Sequence, residues 1–247
     1  MQGVELGSRR RSYAAKLSPD NKVSPLMRVY YLTGAQFALS NLALRRIKIA
    51  RFEDLNDPFE LLGVDVGDKE HRAAFRATKE QINENKGLIC FSKSWSNPLM
   101  WGHYAEKHTG MCLGFDVPNK LLAPVIYAER LLKMEIDPKT RERKLTEKDV
   151  NQLLRTKFFD WKYEDEMRLF VELDHDTVES GKYFYSFSED LMLREIILGP
   201  RCELPIEGVR NIVADFKPQV VALKSRIAFT RFEVLENKVA SRTTTKG

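Results

Sequence analysis

The chain has few of the residues that announce a chemistry. Its 247 residues include three cysteines and four histidines. Cys90, Cys112 and Cys202 have no metal-ligand spacing, and Cys90 and Cys112 sit inside apolar runs, as small core residues do. His71, His103, His108 and His175 are too scattered to form a metal site, so no metal is expected. There is no phosphate-cradling glycine loop, no GxGxxG and no HExxH. GxSxG is also absent, which removes the usual serine-hydrolase elbow. No apolar run approaches the length of a membrane span, so no membrane partner is expected. An odd cysteine count without a leader sequence points to a reducing cytoplasm.

What remains is an ordinary globular composition, 43% apolar and 30% charged, with a mild net charge of +5. That balance permits an anionic ligand or nucleic acid without requiring one. Met1 to Lys22 lacks apolar periodicity and reads as a flexible arm covering about residues 1–24. Residues 238–247 read as a flexible tail. With no internal repeat and no linker between them, residues 25–237 are predicted to form a single α+β domain.

The informative stretch is Cys90 to Phe115, CFSKSWSNPLMWGHYAEKHTGMCLGF. Leu88 to Phe91 reads as a strand end. A polar turn from Ser92 through Ser94 to Asn97 follows. Pro98 then opens a helix capped by Asn97 or Ser96, with Trp101, Tyr104 and His108 on it. Gly110 is predicted to stop that helix before a strand at Met111–Phe115. Tyr104 and His108, four apart, are predicted to share a face, with His108 favoured as a cation at the helix end.

Elsewhere, Arg28–Thr33 reads as a strand, Gly34–Leu44 as a helix and Arg46–Ala50 as a half-buried strand. Asn56-Asp57-Pro58 is a strong turn signal, its acids serving either a ligand or the loop itself. Asp68–Lys86 is predicted to be a charged surface helix. Val125–Tyr127 and Leu131–Ile136 are candidate strands, and Thr146 caps a helix. In FFDWKYEDEMRLFVEL, Trp161 and Tyr163 are aromatic anchors and strand alternation begins at Glu166. Glu164 shares its face if the strand starts early. Further strands are expected over Gly181–Phe187, Leu193–Gly199, Gln219–Lys224 and Thr230–Leu235, with a short helix at Ile206–Ala214.

In order, NDPFE, CFS, NPLMWGHYAEKHTGMCLGF and WKYEDEMR resemble the marks of a widespread microbial family, the domain of unknown function 2971 family. The resemblance spans roughly residues 28 to 235. A second resemblance is to ADP-ribosyltransferase domains, whose three motifs lie on separate strands. It implies a mostly antiparallel, strongly bent or split sheet flanked by short helices. It also implies NAD as substrate and an unidentified macromolecular acceptor, protein or nucleic acid, as expected of a toxin or antiphage effector. By this resemblance Tyr30 or Tyr31 orients the nicotinamide, and Ser92, with Ser94 in the same turn, helps hold the site. Glu166 is catalytic and Glu164 orients the incoming nucleophile. Arg46, Arg51 or Arg168 meets the diphosphate. Trp101 and Tyr104 read as packing for the short helix and stand beside these as candidate NAD contacts. The alternative is a non-enzymatic module binding nucleic acid or protein.

Overall fold

The computed structural model describes residues 24–60, 79–132 and 147–242. The basic triplet Arg9 to Arg11, residues 68–78 of the expected surface helix, the Thr146 cap and most of the candidate strand at Leu131–Ile136 lie outside these residues. Within them, residues 79–85 are helical.

The chain opens with β1 (Leu26–Thr33), α1 (Ala35–Leu44) and β2 (Arg46–Ile49), as the alternation and helical spacing predict. Next come β3 (Lys86–Ser92), α2 (Pro98–Tyr104), β4 (Met111–Pro118), β5 (Leu122–Pro124) and β6 (Ile126–Ala128). Then follow α3 (Glu147–Leu153), β7 (Thr156–Phe158), a 3-10 turn over Phe159–Glu164 and β8 (Glu166–Glu172). The last third contains β9 (Tyr183–Ser186), β10 (Met192–Leu198), α4 (Ile206–Ile212), β11 (Val221–Ile227), β12 (Val234–Glu236) and α5 (Lys238–Arg242).

Eight strands form one large curled sheet in the order β12-β11-β10-β4-β1-β3-β8-β5. All its pairings are antiparallel except β10 with β11. The α+β reading therefore holds. Strand β4 lies near the middle, and its near-continuous apolar run fits burial on both faces. One face carries the main core, where Val29, Ile89, Phe91, Leu113, Phe115 and Ile196 pack with residues of α1 and α4. The other face is covered by α2, whose Met100 and Trp101 pack on Leu32, Cys112, Ile197 and Val234.

The sheet is nearly split. Among the described residues, β1 and β3 pair at one rung only, Tyr30 opposite Ser92. By contrast, β1 follows β4 along its whole length, from Leu26 opposite Pro118 to Thr33 opposite Met111. The next rung would set Leu32 against Cys90, but there the strands part, and Leu88 bridges instead to Ala50.

The helix of the central stretch is shorter than its aromatic spacing predicts. Asn97 caps it, its side chain accepting from the Leu99 N–H at 3.0 Å with Pro98 at the first turn. It ends at Tyr104, because Glu106, Lys107 and His108 all adopt left-handed backbone. Tyr104 and His108 therefore do not share a helical face. Burial and nearby Arg201 push the His108 imidazole below its ordinary range, the opposite of a cation at a helix end.

The strap after α2 is stitched to the chain leaving β10. The Gly199 N–H bonds the Gly110 carbonyl at 2.9 Å, and the Arg201 N–H bonds that of His108 at 3.1 Å. A Cβ on Gly199 would collide with the His108 carbonyl oxygen and lie 2.8 Å from that of Gly110, both rigid backbone. Gly199→Ala is accordingly expected to cost about 1–3 kcal/mol, read as a lower urea midpoint; an unchanged midpoint would show that the strap yields freely.

At the C-terminal end the flexible tail is corrected in part. Residues 238–242 form α5, which is held down: the Ser241 hydroxyl accepts from the Lys224 N–H at 3.0 Å, and the Ser241 carbonyl accepts from Arg210. No helix among the described residues is long and apolar enough to cross a membrane.

Candidate functional site

Where β1 and β3 diverge, a cavity of about 270 Å³ opens. Its walls include Tyr30 and Tyr31 from β1, Ser92 from β3, Tyr104 from α2, and the carboxylates of Glu164 and Glu166. Six residues nominated from the sequence thus border one space. Register accounts for three of them. Tyr30 lies opposite Ser92, and Ser92 lies opposite Glu166, so the three form one row across adjacent strands. Directly paired residues present their side chains to the same face. Tyr31, one residue on, meets Phe91 edge-on at 6.4 Å, yet still borders the cavity because the strands have separated there.

Beside Tyr30 stands a polar brace. Gly114 lies opposite Tyr30 in β4, and the missing side chain leaves room for Glu195 and the Tyr30 ring. A register shift in β10 between Leu193 and Glu195 directs Glu195 there, as bulges commonly do. Its carboxylate accepts from the Tyr30 hydroxyl at 3.4 Å and pairs with Arg28, which also holds Asp116 at 2.7 Å. Burial, reinforced by Glu195, pushes the Tyr30 phenol up to about 12.

At the other end of the row the charges alternate. Arg168 is fully buried and satisfies its guanidinium on Glu60, on Glu166 and on the Leu154 carbonyl. Glu166 also accepts from Lys157 Nζ at 3.1 Å, and Lys157 reaches on to Glu164. Tyr104 closes the chain by donating its hydroxyl to Glu164. Burial alone would raise the Glu166 carboxyl, but Arg168 and Lys157 outweigh it and hold it down at about 2. Glu164 and Glu60 lie at the ends of this run. For them burial prevails and both are shifted upward. Tyr104 is pushed up as well, by burial and by the Glu164 charge it faces.

Glu164 reaches the site by a different route from an early strand start. The strand begins at Glu166, Glu164 ends the 3-10 turn, and Asp165 between them is left-handed at φ 43°. The two carboxylates nevertheless converge on one ammonium. Lys157 and Glu60 were not nominated from the sequence. Glu60 carried a signal, since it closes NDPFE just as Arg168 closes WKYEDEMR, and two motif-terminal residues of opposite charge suggest a pair. Lys157 carried none.

Several nominees fall elsewhere. Trp101 is 0% exposed and spends its indole N–H on the Trp95 carbonyl at 2.6 Å, so it is core and not a wall of the cavity. Arg46 grips Glu179 and lies over the Phe184 ring at 3.9 Å, outside the cavity lining. Ser94 is exposed and bonds Ser96, its N–H resting on the Ser92 hydroxyl at 3.2 Å. Arg168 is wholly occupied by its internal partners. Asn56 and Asp57 part company: Asp57 is buried and accepts from the Phe59 and Phe158 N–H groups, while Asn56 lines the cavity. Next to the cavity, and sharing Lys48 and Asp54 with it, is a recess of about 180 Å³ that also includes Arg51 and Lys182. The Arg51 Nε in it is buried without a partner.

Residues 100–169 match the model of the family described as "Protein of unknown function (DUF2971)". The matched stretch runs from α2 into β8 and contains the HYAEKHTGMCLGF and WKYEDEMR motifs on which the resemblance rests in part. No curated protein and no solved structure matches it.

Proposed function

We propose that the chain is a cytoplasmic NAD-dependent ADP-ribosyltransferase that modifies a macromolecule, in the manner of a toxin or antiphage effector. The observation that carries this reading is the row Tyr30, Ser92, Glu166 at the mouth of the split between β1 and β3. A cavity of about 270 Å³ suits the nicotinamide-ribose end of NAD and not the whole dinucleotide. The adjoining recess gathers Lys48, Arg51 and Lys182, and a diphosphate there would displace Asp54 from Lys48 and Glu53 from Arg51. Of the three arginines considered from sequence, Arg51 is the one that borders this recess.

In the reaction the bond between C1′ and the nicotinamide nitrogen breaks. Nicotinamide leaves as a neutral base with the bonding pair, and the ribose takes on oxocarbenium character. A carboxylate accepting a hydrogen bond from the ribose 2′-hydroxyl steadies that positive charge. Arg168 and Lys157 favour the ionised form of Glu166, and a carboxylate has about four acceptor sites. It accepts from Arg168 Nε at 2.8 Å, from Lys157 at 3.1 Å, from Arg168 Nη2 at a long 3.4 Å and from the Cys90 thiol, and the ribose hydroxyl takes the place of one of the two weaker donors. Glu164, shifted upward by burial, is the better base and takes the proton of the incoming nucleophile as its bond to C1′ forms. Tyr30, braced by Glu195, flanks the departing ring.

The test needs no acceptor. The purified protein is titrated with NAD by calorimetry and then assayed for free nicotinamide, water serving as nucleophile. Saturable binding with slow nicotinamide release is expected. Absence of both would leave the non-enzymatic binding module as the surviving account.

A further inference from the structure

The hairpin that joins β11 to β12 forms the outer edge of the large sheet, and its tip carries two phenylalanines turned to solvent. Phe229 is 92% exposed and Phe232 is 96% exposed. Hydrophobic burial gains nothing from rings left in water, so their place at this tip calls for an occupant. Two arginines are interleaved with them. The Arg226 guanidinium lies 5.1 Å from the Phe229 ring centroid, and Arg231 separates the two rings in sequence. Arg231 pairs with Glu233 at 2.7 Å, an exposed pair of the kind that contributes little and is readily exchanged.

The tip is not a loose end. Ala228 bonds the Glu233 carbonyl at 2.9 Å across its base. Val234 is fully buried against the α2 aromatics, and its N–H bonds the Ser96 carbonyl at 2.8 Å. Ser96 belongs to the turn that leaves the cavity at Ser92. The hairpin is thus fastened to the wall of the cleft while its aromatic tip stands free.

We infer that this tip docks single-stranded nucleic acid and presents it to the cleft as the acceptor. Exposed flat rings offer stacking platforms to unpaired bases, and adjacent guanidinium groups meet the phosphates. Naming the strand as acceptor rests on the transferase reading; binding by the tip does not. A protein partner fits less well. Within the tip, residues 228–233, the two phenylalanines alternate with Thr230, Arg231 and Glu233 and not with further large apolar side chains of the kind that protein interfaces desolvate.

The experiment measures fluorescence anisotropy of labelled single strands of about 16 nucleotides, DNA and RNA, with the whole chain and without NAD. F229A/F232A is expected to bind at least about tenfold more weakly than wild type. Wild-type affinity is expected to fall steeply between about 50 and about 200 mM salt. Duplex of the same sequence and vesicles of anionic phospholipid are the competing arms. Unchanged affinity in the double variant, equal binding of duplex, or tighter vesicle binding that the variant loses would each overturn the inference. Nicotinamide release without nucleic acid is expected to be the same in variant and wild type. A failure of the docking proposal is thereby distinguishable from a failure of the transferase one. Both rings being solvent-exposed, the variant is expected to melt with the wild type.

Discussion

Glu166→Gln is expected to lower the rate of nicotinamide release from NAD by about 100- to 1000-fold, the usual cost of one lost charge-stabilising group. The amide oxygen still accepts from Arg168 Nε, so the strand keeps one anchor. The amide carries no negative charge to set against the ribose cation. Because that charge develops only as the bond breaks, kcat and kcat/KM should fall together while NAD affinity stays within a few-fold. Calorimetry with NAD beside a nicotinamide assay separates the two. A variant that binds NAD and releases nicotinamide at the wild-type rate removes Glu166 from the chemistry.

Arg168→Met is expected to act on stability first. Arg168 has no exposed side-chain surface and pairs with both Glu60 and Glu166. Its loss leaves three buried carboxylates, Glu60, Glu164 and Glu166, beside the single ammonium of Lys157, which pairs with the last two, and removing one partner of such a set costs about 3–5 kcal/mol. The pH dependence follows from the shifts. Glu166 is depressed to about 2 from an ordinary 4.5, so its stabilising contribution is complete above 4.5 and is lost as pH falls through about 2. In the variant the Glu166 carboxyl moves upward under burial, and its penalty is relieved as it takes up a proton. The gap between wild type and variant should therefore be widest at neutral pH and close as pH falls below 4.5. Urea unfolding at both ends of that range measures it. An equal gap throughout would mean that Arg168 stabilises by packing alone.

Much of this site could be read from residue order, because each strand bearing a nominee advertises itself by alternation or a polar turn. What order does not contain is register. That Ser92 faces both Tyr30 and Glu166 depends on β3 lying between β1 and β8, a choice made by long-range pairing and not by any local preference. For the same reason Tyr30 and Tyr31 could not be separated in advance, and the split that brings both to the cavity was not visible. Trp101 and Arg46 show the converse error. Both have chemistry suited to a ligand, yet each spends it on the protein's own groups, Trp101 in the core on the Trp95 carbonyl and Arg46 at the surface on Glu179. Lys157 was silent because a lysine among apolar residues usually snorkels outward; only Glu164 and Glu166 together make its burial tolerable.

A sheet whose β1 and β3, among the described residues, pair at one rung has a fulcrum there. If the β3-β8-β5 wing splays from the rest, the motion pivots on Tyr30 and Ser92 and grows toward the far lip of the gap, where it carries the Leu88–Ala50 bridge with it. The reacting end of a guest would then lie where displacement is least and its distal end where it is greatest. Such a cleft admits bulky guests of varied length while keeping its innermost geometry constant.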